Sequence, residues 1–374
     1  MKFRVERDVL ADAVAWTART LPSRPTVPVL AGLRVDADAD GVTFSAFDYE
    51  VSGQVTVPAE VADDGTALVS GRLLADICRS LPTRPVDLTA DGGKVVLTCG
   101  SARFTLLTLP VEEYPSLPAM PAASGTVDGA VLAEAVSQVA VAAGRDDMLP
   151  VLTGIRVEIE GETVTLAATD RYRLAVRELS WRPERPDVSA VALVPARTLA
   201  DTARTLGTGE VTLALAGGSQ DSLVGLAAGG RRATTRLLDG EFPKYRTLFP
   251  GESVTVARVE TSALVESVKR VALVAERNTP VRLSFSGDQV VLEAGSGEEA
   301  QASESLSATT QGEDVSIGFN PGYLLDGLGA IDAVFAHLSF THATRPAVLQ
   351  GVGSLDADPD GSYRYLLMPV RLSG

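Results

Sequence analysis

Ala167–Val176 reads AATDRYRLAV: an apolar entry, a Thr-Asp turn, two arginines flanking a tyrosine, and an apolar exit. Upstream, Ser45–Val55 reads SAFDYEVSGQV, and Asp48 stands where Asp170 does. A pattern written twice makes internal repetition the first thing to trace.

Three segments share one helical pattern: Asp8–Ala18 (DVLADAVAWTA), Gly129–Ala140 (GAVLAEAVSQVA) and Ser262–Ala272 (SALVESVKRVA). Leu10, Leu132 and Leu264 hold equivalent places. Each is followed three, four and seven positions on by residues that share its helix face: Ala13, Val14 and Thr17; Ala135, Val136 and Val139; Ser267, Val268 and Val271. A hairpin signal follows each helix, with alternating apolar residues around a turn at Asp40-Gly41, Glu160-Gly161 and Gly287-Asp288. Then comes a second helix: LVSGRLLADICRSL (Leu68–Leu81), LVPARTLADTARTL (Leu193–Leu206) and FNPGYLLDGL (Phe319–Leu328), with Asp76, Asp201 and Asp326 aligned. A further strand pair is expected at Asp91-Gly92 and at Gly217-Gly218. The first two copies close on related phrases, LTLPVEEYPSLP (Leu107–Pro118) and LLDGEFPKYRTLFP (Leu237–Pro250), which proline holds extended. Copies of roughly 120 residues are too long for solenoid units, so they are whole domains: 1–121, 122–251 and 252–374. Helices alternate with hairpin strands in each, an α+β class with mainly antiparallel sheet.

The 374-residue chain is 45% hydrophobic, ample for several cores, and carries a formal charge of −15. That charge argues against gripping nucleic acid by bulk electrostatics, though not against basic groups confined to one surface. Two cysteines, Cys78 and Cys99, make neither a disulfide framework nor a zinc pattern, which points to a reducing cytoplasm. The opening MKFRVERDVL lacks an apolar signal region, and no window reaches transmembrane length.

Arginines recur on helices. Arg72 and Arg79, and at matching positions Arg197 and Arg204, are seven residues apart and lie on one stripe; Lys269, Arg270 and Arg277 cluster around the third copy's first helix. Such stripes can contact phosphates without reading bases. Asp76 and Asp201 between them also fit a solvated face of weak ion pairs.

The opening MKFRVERDVL, SRPTVPVLAGL (Ser23–Leu33), ADICRSLP (Ala75–Pro82), RFTLLTLP (Arg103–Pro110), ATDRYRLAV, DGEFPKYRTLFP, GFNPGYLLDGL and the terminal MPVRL together resemble the bacterial DNA polymerase III beta subunit, the sliding clamp. The resemblance spans nearly the whole chain. It implies three tandem DNA-clamp domains in a head-to-tail homodimer, closed as a ring around duplex DNA, with helices lining the hole and antiparallel sheets outside. The ring would be non-catalytic, need no cofactor, and work in the cytoplasm with the nucleoid. It would tether the replicative DNA polymerase and other repair and replication proteins through a short peptide motif, and a clamp loader would place it on DNA.

Residue by residue, the resemblance puts Arg24, Arg72 and Arg197 toward DNA, and helical spacing adds Arg79, Arg204 and Arg277. The loop GRDDMLP (Gly144–Pro150) offers Arg145 but no tyrosine for stacking. The partner-peptide pocket maps to Leu152, Thr169, Arg173, Leu174, Pro243, Leu248, Tyr323, Pro346, Leu367, Met368, Pro369, Val370, Arg371 and Leu372, an apolar groove with a few polar anchors. Many clamps have a small residue and a histidine where this chain has Arg171 and Tyr172, and a methionine in place of Val370. The dimer interface would use Phe104 and Leu106 on one side and Leu273 and Val274 on the other.

Other signals lead nowhere. His337 and His342 lack a carboxylate cluster at ligand spacing, and the pairs Glu112-Glu113, Asp146-Asp147 and Glu298-Glu299 diverge in regular structure. Nucleotide-loop and nucleophile-elbow patterns are absent. The rival readings are a peptide-binding scaffold of the same fold that does not encircle DNA, and a hydrolase built on Asp146 or Asp147.

Overall fold

The computed structural model describes residues 1–215, 222–275, 279–295 and 300–371. The described residues contain six α-helices: α1 (Arg7–Thr17), α2 (Gly71–Ser80), α3 (Gly129–Ala140), α4 (Ala196–Thr205), α5 (Thr261–Val271) and α6 (Pro321–Gly329). All strand pairs among the named strands are antiparallel. The chain forms two compact bodies, one of residues 1–130, 182–188 and 201–237, the other of 131–181, 189–200 and the described residues from 238 onward.

The first body holds two sheets. One has the order Glu60–Asp63, Lys2–Val5, Val86–Asp91, Lys94–Cys99, Ala102–Leu107. The other runs over nine strands: Arg182–Pro183, Ala123–Asp128, Glu210–Leu215, Leu223–Ala228, Arg231–Arg236, Val51–Val57, Gly41–Phe47, Gly32–Asp38 and Gly65–Ser70. The second body repeats the plan. Its nine strands are Ser189–Pro195, Gly154–Glu160, Thr163–Thr169, Arg173–Ser180, Tyr363–Leu367, Ala347–Val352, Phe335–Phe340, Thr255–Glu260 and Thr309–Gln311. A four-stranded sheet accompanies them: Ala302–Ser307, Gln289–Ala294, Val281–Ser286, Val315–Phe319.

Each nine-stranded sheet therefore joins strands from two neighbouring sequence copies, and the joint is made the same way twice. Thr235 faces Val51 in the first sheet, and Leu367 faces Arg173 in the second. One step further, the Arg236 N–H donates to Glu50 O at 2.9 Å and the Met368 N–H to Tyr172 O at 2.9 Å. Pairing strands across copies leaves fewer open edges than separate sheets would.

The helix faces read from spacing are the buried ones. Leu10, Ala13, Val14 and Thr17 of α1, Leu132, Ala135, Val136 and Val139 of α3, and Leu264, Ser267, Val268 and Val271 of α5 are all buried. Helices α2 and α4 bury Leu74, Ile77 and Cys78, and Ala196, Leu199 and Ala203, and turn their arginines outward. The three expected hairpins form, with Asp38 opposite Gly41, Glu160 opposite Thr163 and Ser286 opposite Gln289. The pair around Gly92 also forms; Gly217-Gly218 lies outside the described residues.

Candidate functional site

The turn between Thr163–Thr169 and Arg173–Ser180 is held by one carboxylate. Asp170 Oδ1 accepts the N–H groups of Tyr172 at 3.0 Å and Arg173 at 3.1 Å. Asp48 does the same upstream for Glu50 at 2.9 Å and Val51 at 2.7 Å. This is the Asx turn, in which a short acceptor side chain stands in for backbone. The residue after each aspartate takes a left-handed conformation, with φ +76° at Tyr49 and +79° at Arg171. That region strains any side chain bearing a Cβ.

Arg173 is 5% exposed, and its charge is fully engaged. Nε donates to Asp170 Oδ2 at 2.9 Å and Nη1 to Asp326 Oδ2 at 2.5 Å. Its guanidinium carbon lies 4.3 Å from the centroid of the Tyr323 ring. Burial opposes the charge, but the bond to Asp326 and the neighbouring Tyr365 and Asp170 outweigh it, so the guanidinium holds its proton beyond its ordinary value. Tyr323 in turn stacks on Tyr172, with ring centroids 6.3 Å apart. Burial, then the Asp170 carboxylate, raises the Tyr323 phenol above its usual value and keeps it neutral. Helix α6 begins with Asn320, whose Oδ1 accepts the Tyr323 N–H at 3.1 Å, a side-chain N-cap. The helix can cross Tyr365 because Gly327 has no side chain: a Cβ there would sit 2.4 Å from the ring.

These elements enclose a cavity of about 690 Å³ lined by Leu149, Leu152, Arg173 and Tyr323, and also by Arg145, Asp170, Arg171, Tyr172, Asn320 and Asp326. Beside it lies an apolar cluster of Ala167, Leu174, Val176, Leu193, Phe242, Tyr245 and Leu366. The segment that carries Pro243 and Leu248 is pinned to the sheet through buried Glu158, which accepts from Tyr245 Oη at 3.0 Å, from Arg156 at 2.5 Å, and from Arg246.

Helices α2 and α4 carry the same charge row. Arg79 bonds Asp76 at 3.1 Å and Arg204 bonds Asp201 at 2.9 Å, each exposed and three residues apart. Arg72 reaches the Pro22 carbonyl at 3.1 Å. Arg24, Arg145 and Arg197 are exposed and make no ion pair among the described residues.

Three family models match the chain in sequence: the N-terminal, central and C-terminal domains of the DNA polymerase III beta subunit, over residues 1–118, 126–244 and 246–371. The chain belongs to the DNA polymerase III beta subunit family. It is 63% identical to the beta sliding clamp of Streptomyces coelicolor, with 100% of both chains covered. It is 50% identical to the beta sliding clamp homolog GriR of Streptomyces muensis, with 99% of each covered. Among solved structures, the Bacillus subtilis sliding clamp matches with a TM-score of 0.92 at 26% identity over 100% of both chains. A Pseudomonas aeruginosa sliding clamp bound to griselimycin matches with the same score, identity and coverage. The fold is three tandem clamp domains, and the protein is a sliding clamp: a non-catalytic processivity subunit of DNA polymerase III.

The residues expected from sequence scatter over more than one environment. Leu152, Arg173 and Tyr323 meet in the cavity. Thr169, Leu174 and Leu367 are buried: Thr169 Oγ1 donates to Arg173 O at 2.6 Å, and Leu367 faces both Arg173 and Ala347 in the sheet, so these three build the wall and offer a ligand little surface. Pro243, Leu248, Met368 and Arg371 are exposed, Pro346, Pro369 and Val370 are half-buried, and the Val370 N–H bonds Gly318 O at 2.8 Å. Leu372 and Arg277 lie outside the described residues. Arg145, assigned to DNA from sequence, lines the cavity. Asn320 and Leu149 were missed, although Asn320-Pro321 before an apolar run is a helix-start signal.

At the expected interface, Leu273 is 83% exposed and Val274 half-buried. Leu106, at 3% exposure, packs in the core of its own sheet, and Phe104 is half-buried on the same side of the strand. Leu107, on the other side of that edge strand, is 72% exposed. His337 is buried and its Nδ1 accepts from Arg258 at 3.2 Å, while His342 bonds Thr344 in a turn. No group of three or more potential metal ligands occurs among the described residues, nor is any described helix long and apolar enough to cross a membrane.

Proposed function

We propose that two copies of this chain close head to tail into a ring around duplex DNA, with domains near 1–121, 122–251 and 252–374. The exposed arginine rows of α2 and α4 carry this reading: Arg72 and Arg79, and Arg197 and Arg204, on a chain of net charge −15. Together with Arg24 and Arg145 they would touch phosphates weakly, while the acidic remainder repels DNA elsewhere. Sliding needs that weakness, because tight phosphate contacts would hold the ring in place. Asp76 and Asp201, paired with the second arginine of each row, temper the attraction further.

The cavity beside Tyr323 and the apolar surface of Pro243, Leu248 and Met368 would take a short peptide from the replicative polymerase, the clamp loader and other replication and repair proteins. Phe104 and Leu273 would meet across the subunit boundary. The compartment is the cytoplasm, at the nucleoid.

The test is topological. The protein is loaded with a clamp loader and ATP onto a nicked circular plasmid, free protein is removed, and half the sample is linearised. Retention on circles with loss from linear DNA is the expected result. Equal retention on both would mean binding by affinity. Failure to load beside a clamp that loads in parallel would favour the non-encircling scaffold.

A further inference from the structure

We infer that a second cavity, between α3 and the end of α6, binds a linear aliphatic amine carrying two or more ammonium groups. It measures about 430 Å³ and shares only Asp326 with the cavity beside Tyr323. That size lies within the range of small-molecule sites, about 300–1,000 Å³. Three carboxylates line it, Glu134, Asp326 and Asp332, and no lysine, arginine or histidine does among the described residues. Glu134 and Asp332 are exposed and form no ion pair among the described residues. Asp326 gives one oxygen to Arg173 Nη1 at 2.5 Å. The wall also includes the C-terminal turn of α6, where the helix dipole places partial negative charge. The field in this cavity therefore favours a cation.

A buried acceptor points to a ligand more directly. Gln138 lines the cavity yet is only 7% exposed. Its Nε2 donates to Ala330 O at 3.0 Å and to Glu134 Oε1 at 3.2 Å, so the amide nitrogen faces those two acceptors. Its Oε1 is buried and has no donor. An empty buried acceptor is destabilising, and an ammonium N–H would fill it. The spread of charge decides the kind of cation. No three acidic, histidine or cysteine side chains among the described residues stand close enough together to hold a metal ion. The three carboxylates thus share a wall without converging on a point. Separated ammonium groups on one chain match that spacing, and the methylenes between them would lie on Val141, Leu325 and Ile331.

The probe is spermidine, titrated into the full chain with isotope-labelled isoleucine methyl groups and followed by NMR. Ile331 reports on the cavity, while Ile77, Ile155, Ile159 and Ile317 are buried outside its lining and serve as references. A saturable shift of the Ile331 methyl is expected with spermidine and none with butanediol, a neutral aliphatic chain. Glu134→Gln combined with Asp332→Asn should weaken the apparent affinity roughly threefold to tenfold, and high salt should weaken it too. Asp63→Asn combined with Asp64→Asn changes the net charge as much, on exposed residues of the first body, and should leave the affinity as it was. Equal weakening by the two double variants would mean diffuse counterion attraction and overturn the site. The same Ile331 shift with magnesium chloride at matched ionic strength would overturn the assignment to an organic amine. Absence of a saturable shift with spermidine would overturn the inference outright.

Discussion

Arg173 Nη1 and Asp326 Oδ2 lie 2.5 Å apart, joining residues 153 positions distant in the chain. One is in the hairpin of the second copy and the other on a helix of the third. The bond fixes the wall of the cavity that Tyr323 and Leu152 share with them. Replacing Arg173 by Met strands Asp170, whose side chain is only 13% exposed, without its cation. Breaking one partner of a buried pair costs about 3 kcal/mol or more. Thermal unfolding followed by circular dichroism should show Tm falling by several degrees. Asp326→Asn keeps an acceptor on a more exposed residue and should cost about 1 kcal/mol. Equal losses for the two variants would argue against this division.

Glycine at the two left-handed positions should act in opposite senses. Arg171→Gly removes strain of about 1–2 kcal/mol against a backbone-entropy cost of roughly 0.5–1 kcal/mol. A small rise in Tm is expected. Tyr49→Gly relieves the same strain but loses the ring that tilts over Phe47 at 5.6 Å, a contact worth about 0.5–1.5 kcal/mol besides its buried area. It should be neutral or destabilising. Calorimetry of both variants checks the pair.

Stability should carry a signature of His337. Burial, followed by Arg258, lowers its pKa to about 4 from the ordinary 6.5. Between those values the unfolded chain binds a proton that the folded chain excludes, so stability falls as pH drops from about 6.5 toward 4 and is unaffected above. The span corresponds to at most about 3 kcal/mol. His337→Gln, which cannot protonate, should show a smaller loss of Tm between pH 7 and pH 5 than wild type. Parallel curves would assign the acid sensitivity to other groups.

The arginine rows should be separable by salt. Arg197→Ala removes an unpaired cation and should lower the slope of log affinity for duplex DNA against log salt by roughly one. Arg204→Ala should change it less, because Asp201 already neutralises that side chain. Titration of labelled duplex at several salt concentrations reads both.

For the interface, Phe104→Asp with Leu273→Asp should yield monomers by light scattering. Leu273→Asp alone leaves the fold intact, since that side chain touches little of its own domain. A persistent dimer would refute the interface. Leu106→Asp would instead place a charge in the core and unfold the sheet.

Much of this was legible before any coordinates. The periodicity of Leu10, Leu132 and Leu264 with their followers named the buried helix faces, because a helix presents the same face every three to four residues. The glycine turns named the hairpins. The aligned Asp48 and Asp170 marked one turn built twice. The pocket was only half legible. Leu174 and Leu367 read as groove residues, yet strand pairing buries both. Asn320, Leu149 and Arg145 were not counted toward it, because a concave surface depends on which loops converge.

The sequence by itself determined the threefold repeat, the helix faces, the hairpins and the family, since each rests on local periodicity or on residues in a set order. Tertiary structure alone decided that each large sheet joins two copies, through Val51 opposite Thr235 and Arg173 opposite Leu367. It also decided that Arg173 is spent on Asp170 and Asp326 while Arg171 forms no ion pair among the described residues. Backbone pairing between distant strands and the partner of each charge are properties of juxtaposition, which no local pattern encodes.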